Sequence, residues 1–498
     1  MTIEVKETSL HVVNMWTRMP FKYGIVTLTA LPHLFVRVAA EVNGRLVDGV
    51  AADGLAPKWF TKDPDKAVED ELAEMMGVIQ AACAHAQRVG AAESIFDWWL
   101  QLYHAQREWG KQRGCPALLW NFGASLLERA ALDAFCRASE IPFAQAVRDN
   151  ALGMRLRDVH GEFADSAPRD WLPAQPTRRM GVRHTVGLAD PLTEEDIAPD
   201  ARVEDGLPQS LEACIRQYGL RYFKIKIPAD PETAIHRLRG VADVLQRECG
   251  AFAFTLDGNE FFSGIEGFRE LWETLQRDEA IAAWFNEGLL FLEQPLHRDV
   301  ALSAEATAAF ANWPDRPPII IDESDGENES LPQALDQGYA GTSHKNCKGV
   351  FKGIANACLT AKRRSQDPEG RYAFSGEDLA NVGPVALLQN LAVTSVLGLE
   401  HVEMNGHHYF PGLSVFPQKL QEDVLAHHGG LYHRHHTGKE TFASLRITGG
   451  EIALDTVLAA PFGYQIPLDP GEFTPLEDWE FESLGLSPGR RSTKNSYA

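Results

Sequence analysis

The chain has 498 residues, of which 44% are hydrophobic, so it can bury a sizeable core and does not have the composition of a disordered protein. This length favours two domains, one of them large. The formal net charge of −22 argues against sequence-independent binding to nucleic acid and against an anionic membrane surface.

Cysteine usage and the N-terminal sequence indicate the compartment. There are seven cysteines, an odd number, and no two have CxxC spacing, which favours a reducing environment over a disulfide framework. The first residues lack the apolar segment of a signal peptide, and no apolar run has the length of a membrane helix. We therefore expect a cytoplasmic protein without nucleic-acid or membrane partners. We also expect a homo-oligomer.

The N-terminal part, residues 1–165, is predicted to form an α+β domain. Strands joined by a hairpin are expected over residues 22–50, where Asn43-Gly44 is a turn signal. Apolar residues recur at three- and four-residue steps over 64–90 and 116–148, which predicts helices. A sheet followed by helices is the α+β pattern.

A second domain is predicted over residues 166–412, where short β-rich runs alternate with helical stretches. The runs cover residues 182–187, 222–227, 252–257, 289–293, 319–322, 341–345, 372–375 and 401–404. Several are almost wholly apolar, as strands covered on both faces must be. Strands alternating with helices indicate parallel βαβ units, and eight of them predict an α/β fold closed into a TIM-like barrel.

The remaining residues, 413–498, are less regular. Residues 427–436 are rich in histidine, which would suit a transition metal, but a solvated loop is the preferred interpretation. The tail over residues 489–498 is expected to be disordered.

Three carboxylates stand at the ends of successive predicted strands: Asp257, Glu293 and Asp322. Barrel enzymes place their catalytic groups at these strand ends, and adjacent strands lie about 4.8 Å apart, so the carboxylates can converge on one cation. An oxygen-only ligand set suits Mg²⁺, with Mn²⁺ as a substitute. The pattern predicts a divalent metal site.

Two lysines flank this trio, Lys226 on the strand before it and Lys345 on the strand after it. In a closed barrel they would face each other across the metal. Neighbouring cations, among them Lys224, Lys348 and the metal, are expected to lower a lysine pKa until it can act as a base. A metal would stabilise the enediolate that forms when a proton α to a carboxylate is removed, and the second lysine could return the proton.

Each motif alone has a plainer interpretation, since Asp322 could be only a helix cap and a Lys-x-Lys pair only a solvated strand edge. Five suitable residue types at five consecutive strand ends are a stronger signal. Polar residues predicted to surround the metal, the lysines or the substrate are Asn259, Glu323, Lys348, Glu403 and Asn405. Glu377 and Asp378 follow the seventh run and could read hydroxyl or amine groups or simply satisfy backbone.

A candidate lid lies outside the barrel, at residues 50–62. Lys58 or Lys62 could meet a distal anionic group of the substrate there. The alternative is a surface loop with an exposed Trp.

These residues resemble the enolase superfamily, in its mandelate racemase/muconate lactonizing enzyme-like group and within that the muconate-lactonizing-enzyme and dipeptide-epimerase branch. The motifs that carry the resemblance are Lys224-x-Lys226, the carboxylates Asp257 and Glu293, the run Asp322-Glu323-Ser324, and Lys345. Segments 19–24, 130–143 and 449–454 also resemble the family's capping strand turn, the helix before its barrel and its closing segment.

The resemblance implies a modified (β/α)7β barrel, an N-terminal capping domain completed by a C-terminal segment that packs back on it, and an essential Mg²⁺. It implies catalytic roles for Lys226, Lys345 and Lys224. The sixth-strand segment lacks the family's Gly-Gly pair, and an alternative register would give Lys348 the catalytic role. Lys345 is preferred because the family keeps a second lysine three residues further on.

Three functions remain to be separated. The leading hypothesis is a racemase or epimerase acting on a small-molecule carboxylate substrate, because two lysines could serve the two faces of one substrate. A sugar-acid dehydratase or another lyase could use the same site. A non-catalytic barrel that only binds a ligand is the alternative from a different class, and a phosphate-binding barrel ranks low because Gly376 and Gly406 are isolated.

Overall fold

The computed structural model describes residues 1–486, so the tail predicted to be disordered lies outside the described residues. The strands are β1 (Ile3–Tyr23), β2 (Val26–Val42), β3 (Arg45–Gly54), β4 (Arg179–Val186), β5 (Tyr222–Lys226), β6 (Ala253–Asp257), β7 (Leu289–Glu293), β8 (Ile319–Ile321), β9 (Gly341–His344), β10 (Ala373–Gly376), β11 (His401–Met404), β12 (Tyr432–His436), β13 (Thr441–Leu445), β14 (Glu451–Ala453) and β15 (Thr474–Pro475).

The helices alternate with the barrel strands and also cover the N-terminal sheet. They are α1 (Val68–Val89), α2 (Ile95–Gln112), α3 (Ala117–Ser139), α4 (Phe143–Arg148), α5 (Leu211–Tyr218), α6 (Pro231–Glu248), α7 (Ile265–Arg277), α8 (Glu279–Gly288), α9 (Arg298–Ala301), α10 (Ala304–Ala311), α11 (Ser330–Asp336), α12 (Val350–Gln366), α13 (Ala386–Val396), α14 (Gly406–Tyr409), α15 (Gln418–His427) and α16 (Asp455–Ala459).

The eight strands β4 to β11 form the predicted parallel barrel, which closes where β11 pairs with β4. Each strand was predicted within three residues of its bounds, and β7 and β11 were predicted at their observed bounds. The first strand begins at Arg179 rather than at residue 182. The cause is β14, which pairs antiparallel with this early part of β4 and extends it.

An antiparallel sheet precedes the barrel, in the order β15-β1-β2-β3. The predicted hairpin turn is present, with Asn43 and Gly44 at φ values of 50° and 80°. The expectation that strands begin at residue 22 is wrong, because β1 already begins at Ile3. Register shifts interrupt this strand between Val5 and Glu7 and again after Trp16, so its sequence lacks a regular alternation of apolar and polar residues.

The helices of the N-terminal domain differ from the prediction in two places. The segment 116–148 is two helices, because Glu140 adopts a left-handed conformation and Pro142 follows it. Helix α2 was missed, although Ser94 caps it by accepting a hydrogen bond from the Asp97 N–H at 3.0 Å. Its buried face is aromatic, so the helix packs firmly beside α3.

The C-terminal part returns to both sheets. It supplies β14 to the barrel and β15 to the edge of β1, where the Trp16 indole N–H also donates to the Leu484 carbonyl at 3.1 Å. The histidine-rich segment is not a solvated loop throughout: part of it is strand β12 of a hairpin, and His428 is buried against Thr456. Within residues 1–486, no helix has the length and apolar character needed to span a bilayer.

Candidate active site

The predicted metal-binding and catalytic side chains lie at the carboxyl ends of consecutive barrel strands. Their places are Lys224 and Lys226 in β5, Asp257 at the end of β6, Glu293 at the end of β7, Asp322 after β8 and Lys345 after β9. Lys226 is in register with Asp257, and Asp257 with Glu293. Because parallel strands end at the same edge of a sheet, these groups meet at one mouth of the barrel.

Lys224 lies at the centre of the carboxylate cluster. Its ammonium donates to Glu293 at 2.7 Å, to Glu403 at 2.9 Å and to Glu377 at 3.0 Å. Asp257 lies 3.2 Å away. Burial alone would lower the pKa of Lys224, but the surrounding carboxylates raise it well above its ordinary value. This lysine is therefore held charged and neutralises the carboxylates around it.

Glu377, which follows β10, is a central member of the site that the sequence analysis left without a defined role. Its carboxylate accepts hydrogen bonds from Lys345 at 2.5 Å, Lys224 at 3.0 Å and Arg183 at 3.1 Å. Burial opposes its ionisation, but these three cations hold the pKa of Glu377 well below its ordinary value. Arg183 comes from β4, across the closing seam of the barrel, and nothing in its local sequence indicated the contact.

Lys226 occupies a different position from Lys224. Its ammonium donates to Asp257 and to the side-chain oxygen of Asn259, both at 2.8 Å. Asn259 is itself fixed, because its backbone N–H donates to Asp257 at 2.8 Å. The structure therefore places Asn259 beside Lys226.

Asp322 joins the two lysines of the sixth-strand segment. One of its oxygens accepts from Lys348 at 2.6 Å, from Lys345 at 2.7 Å and from the Ser343 hydroxyl at 2.5 Å. Lys348 also donates to the Ser343 carbonyl at 3.0 Å, so it is committed to the strand end. Lys345 lines the central cavity and lies 5.4 Å from the centroid of the Trp59 ring. Lys345 is therefore the better placed of the two for chemistry.

The electrostatic balance differs from the expectation for Lys345. Burial by itself would lower its pKa, but Asp322 and Glu377 raise it well above the ordinary value and outweigh the neighbouring Lys224. The carboxylates thus have the dominant influence on the pKa of Lys345. A divalent cation on the same oxygens would neutralise them and reverse this balance.

Glu293 has one oxygen that a metal could use. Its Oε2 is buried and has no hydrogen-bond partner among the described residues. Oxygens of Glu293, Asp322 and Glu377 all lie within 4.8 Å of one another. Burial first, and then Glu377, raise the pKa of Glu293 well above its ordinary value and outweigh the opposing effect of Lys224. The hard, oxygen-only donor set fits Mg²⁺.

Asp322 is positioned by Gln294, a residue that the sequence analysis did not single out. The Gln294 side-chain oxygen accepts the Asp322 backbone N–H at 2.8 Å, and its amide donates to Ser324 at 2.8 Å. Gln294 has a φ of 35° and Asn259 a φ of 50°, a region that costs energy for residues with a Cβ. Strained backbone therefore occurs directly after two of the strands that carry the site.

Polar groups at the ends of β10 and β11 form another side of the site. Glu403 accepts hydrogen bonds from Thr185 at 2.7 Å and from the Asn405 side chain at 3.2 Å. The oxygen of Asn405 is buried without a partner among the described residues, as is one oxygen of Asp378. Burial first, and then Glu403, raise the pKa of Asp378 well above its ordinary value. These groups line the cavity with unused hydrogen-bonding capacity.

Glu323 also lines the cavity. Burial, followed by the charges of Asp322 and Glu260, raises its pKa to about 8. Arg298 holds Glu260 through paired contacts at 2.8 Å, so that neighbour remains negative. Glu323 is thus a carboxylic acid that can be protonated near neutral pH beside the proposed metal ligands.

In the segment proposed as a lid, residues 50–54 are the end of β3, and only the part from Ala56 to Lys62 lines the cavity at the barrel mouth. Trp59 is only 8% exposed, which contradicts the alternative of a surface loop with an exposed Trp. The Lys62 ammonium donates to the Asn259 carbonyl at 2.5 Å and lies 3.3 Å from Glu260, so it ties the segment to the strand end. Lys58 instead donates to the Asp63 carbonyl at 2.7 Å within its own segment.

The cavity measures about 60 Å³ and is partly open to solvent. In the segment beside it, Lys58 and Lys62 have positive φ values of 64° and 54°.

Comparison with known proteins supports the fold by structure rather than by sequence. No family model matches the chain, and no curated protein sequence matches it. Among solved structures, a muconate lactonizing enzyme from Pseudomonas fluorescens, complexed with muconolactone, has a TM-score of 0.58 at 14% identity, covering 95% of this chain and 99% of that one.

Two further structures have other activities in their names. A dipeptide epimerase from Enterococcus faecalis, complexed with Mg and a dipeptide, has a TM-score of 0.54 at 12% identity, covering 90% of this chain and 99% of that one. An N-succinyl Arg/Lys racemase from Bacillus cereus has a TM-score of 0.54 at 12% identity, covering 92% and 98%. The chain therefore shares the fold of these solved structures, a barrel of eight parallel strands with an N-terminal antiparallel sheet.

Proposed function

We propose that the protein is a divalent-metal-dependent racemase or epimerase that removes and returns the α-proton of a small carboxylate substrate. The observation that carries this proposal is the placement of Lys226 and Lys345. They lie on β5 and after β9, four strands apart in a closed barrel of eight, and both line one cavity. Two ammonium groups can therefore approach one substrate from opposite sides.

The proposed metal ligands are Asp257, Glu293 and Asp322, with Glu377 as a fourth carboxylate in contact with the set. The unpartnered oxygen of Glu293 supports its place in this set, and oxygens of Glu293, Asp322 and Glu377 converge within 4.8 Å. Asp257 is included because it is in register with Glu293 on the adjacent strand. A bound Mg²⁺ would supply positive charge to the substrate carboxylate as the α-carbon loses its proton.

The side chains divide the proton transfers between them. In its neutral form, the amine of Lys226 accepts the α-proton: the C–H bond breaks, an N–H bond forms, and the electron pair moves into the carboxylate as an enediolate. The ammonium of Lys345 then donates its proton to the other face of the same carbon. The reverse reaction exchanges the two roles. Lys224 stays charged among its four carboxylates and stabilises the negative charge nearby.

Deuterium exchange tests the proposal directly. The protein is incubated in deuterated buffer with Mg²⁺ and a library of N-acyl amino acids, dipeptides and hydroxy acids, and α-deuterium is measured by mass spectrometry. We expect Lys226→Ala and Lys345→Ala each to lose racemisation but to keep exchange of the one enantiomer that faces the remaining lysine. Lys419→Ala, at an exposed lysine of α15, is the matched control. Absence of exchange across the library would contradict the proposal.

A lyase, such as a sugar-acid dehydratase, is the second candidate. It is favoured by Glu403, Asn405 and Asp378, which line the cavity and could hold substrate hydroxyls. Asn405 and Asp378 each have a buried oxygen without a partner among the described residues. Formation of a 2-keto acid from a sugar acid, detected in the same incubations, would establish this reaction instead of racemisation.

A further inference from the structure

A second cluster of metal-binding side chains lies outside the barrel mouth. It consists of His184 on β4, Cys214 on α5 and His408 on α14. One potential ligand atom from each of the three lies within 4.8 Å of the others. All three side chains are buried, with exposures of 2%, 0% and 3%. The mechanism proposed above uses none of them.

The distances within the cluster suit tetrahedral coordination. Zinc binds sulfur at about 2.3 Å and imidazole nitrogen at about 2.1 Å, so two such ligands at a tetrahedral angle are about 3.6 Å apart. The Cys214 sulfur and the His408 Nδ1 are 3.6 Å apart. Their contact already has the separation that a shared zinc ion requires.

His407 supports the third ligand from outside the cluster. Its Nε2 lies 3.2 Å from the Nδ1 of His184, so one ring nitrogen of His184 is fixed by a hydrogen bond and the other is left for a metal. Burial holds the pKa of His184 and of His408 well below the ordinary value, which keeps both rings neutral and their lone pairs free. Metal-binding histidines in proteins are commonly oriented in this way.

We propose that His184, Cys214 and His408 bind one structural zinc ion at the seam where the barrel closes. Two nitrogens and one sulfur are the donors that Zn²⁺ prefers, whereas Mg²⁺ prefers the oxygen-only set at the barrel mouth. Binding forms one Zn–S and two Zn–N bonds and releases the thiol proton to solvent. The fourth coordination position is left for a small ligand such as water.

The site links elements that are distant in sequence. His184 belongs to the first barrel strand, and His408 follows the last strand, with which β4 pairs. The backbone carbonyl of His408 also accepts a hydrogen bond from Arg18 of β1 at 3.2 Å, so the N-terminal sheet reaches the same place. A zinc ion here would hold together the closing strands of the barrel and the α5 helix, independently of catalysis.

Zinc binding by the full-length protein tests the proposal. The protein is freed of metal with a chelator, saturated with Mg²⁺ to occupy the carboxylate site, and titrated with Zn²⁺ against a chromophoric zinc chelator. We expect about one tightly bound zinc per chain. Loss of a residue that only orients a metal ligand weakens metal binding about 10- to 100-fold. Cys214→Ser and His408→Gln each remove a proposed ligand itself, so each should weaken zinc binding at least about 100-fold.

Cobalt replacement identifies the ligands by spectroscopy. Co²⁺ bound to a thiolate gives a near-ultraviolet charge-transfer band that an oxygen-only site does not give. The band should appear in the wild-type protein and in Cys249→Ser, a half-buried cysteine elsewhere, and should be absent from Cys214→Ser. Its presence in the wild type supports the proposal even if Cys214→Ser fails to fold.

The histidine-rich hairpin provides the competing explanation for any bound zinc. His433→Ala combined with His435→Ala removes two histidines of β12 and should leave zinc binding unchanged. The proposal is overturned if this double variant loses the zinc, if Cys214→Ser binds it as tightly as the wild type, or if the wild type binds none. None of these measurements depends on the reaction proposed for the barrel mouth.

Discussion

Replacing Glu377 by Gln tests whether this buried carboxylate is charged and binds the cations of the site together. The substitution keeps the shape of the side chain and removes one negative charge. Its carboxylate lies 2.5 Å from the Lys345 ammonium, 3.0 Å from Lys224 and 3.1 Å from the Arg183 guanidinium. All of these side chains are buried, so the variant leaves positive charge uncompensated in a low-dielectric environment.

Removing one partner of a buried ion pair costs about 3 to 5 kcal/mol. The entropy of unfolding is about 2.1 cal/mol/K per residue, which gives about 0.5 kcal/mol/K if the barrel of about 240 residues unfolds alone and about 1 kcal/mol/K if the whole chain unfolds together. The melting temperature of Glu377→Gln should therefore fall by about 3 to 10 °C.

Thermal unfolding followed by circular dichroism at pH 7.5 measures this shift. Glu287→Gln, the same chemical change at an exposed position of α8, is the matched control and should change the midpoint by less than about 1 °C. A shift of Glu377→Gln as small as that of the control would refute the reasoning. It would show that Glu377 is neutral in the folded protein and that the lysines are balanced by the other carboxylates.

Three further predictions concern packing, protonation and metal binding. Gly49→Ala should destabilise the protein by several kcal/mol, because the added Cβ would overlap the backbone of α3. Gly77→Ala in α1 places its Cβ in open space and should stabilise the protein by about 0.5 to 1 kcal/mol, so the melting temperatures of the two variants should shift in opposite directions. Burial lowers the pKa of His33 to about 3, so the unfolded chain binds a proton at this residue before the folded protein does as the pH falls below about 6.5. At pH 5 the free energy of unfolding is therefore lower by about 2 kcal/mol, and His33→Gln should narrow the difference between the melting temperatures at pH 7 and pH 5 by about 2 to 4 °C. An unchanged difference would be the contrary result. Gln294→Ala removes the acceptor of the Asp322 backbone N–H, so it should lower the free energy of unfolding by about 1 to 3 kcal/mol and weaken Mg²⁺ binding. The weaker binding should be seen as a smaller Mg²⁺-induced rise in melting temperature.

The barrel could be predicted from the sequence because its determinants are local. Each strand is a short apolar run, and parallel strands must end at the same edge, so the placement of Asp257, Glu293 and Asp322 followed from chain order alone. The contacts of Lys226 with Asp257 and Asn259 could be anticipated for the same reason, because these residues lie at the ends of neighbouring strands.

The contacts that were missed depend on how the barrel closes. Arg183 meets Glu377 across the seam, and the two are 194 positions apart in the chain, so no local pattern could reveal the pair. The dominance of carboxylates around Lys345 likewise depends on which side chains point inward from distant strands. Gln294 was overlooked because its role is to hold a backbone N–H, and a glutamine after a strand gives no sequence signal of that function.

The pairing of β15 with β1 has a consequence for biosynthesis. The N-terminal sheet is made first, but the strand that covers the edge of β1 comes from residues 474–475. Until residues 474–475 have been made, the backbone groups of His11 and Val12 that pair with β15 are free, on the kind of strand edge that recruits other strands. A nascent chain is thus open to misassembly at this part of β1 until β15 joins it.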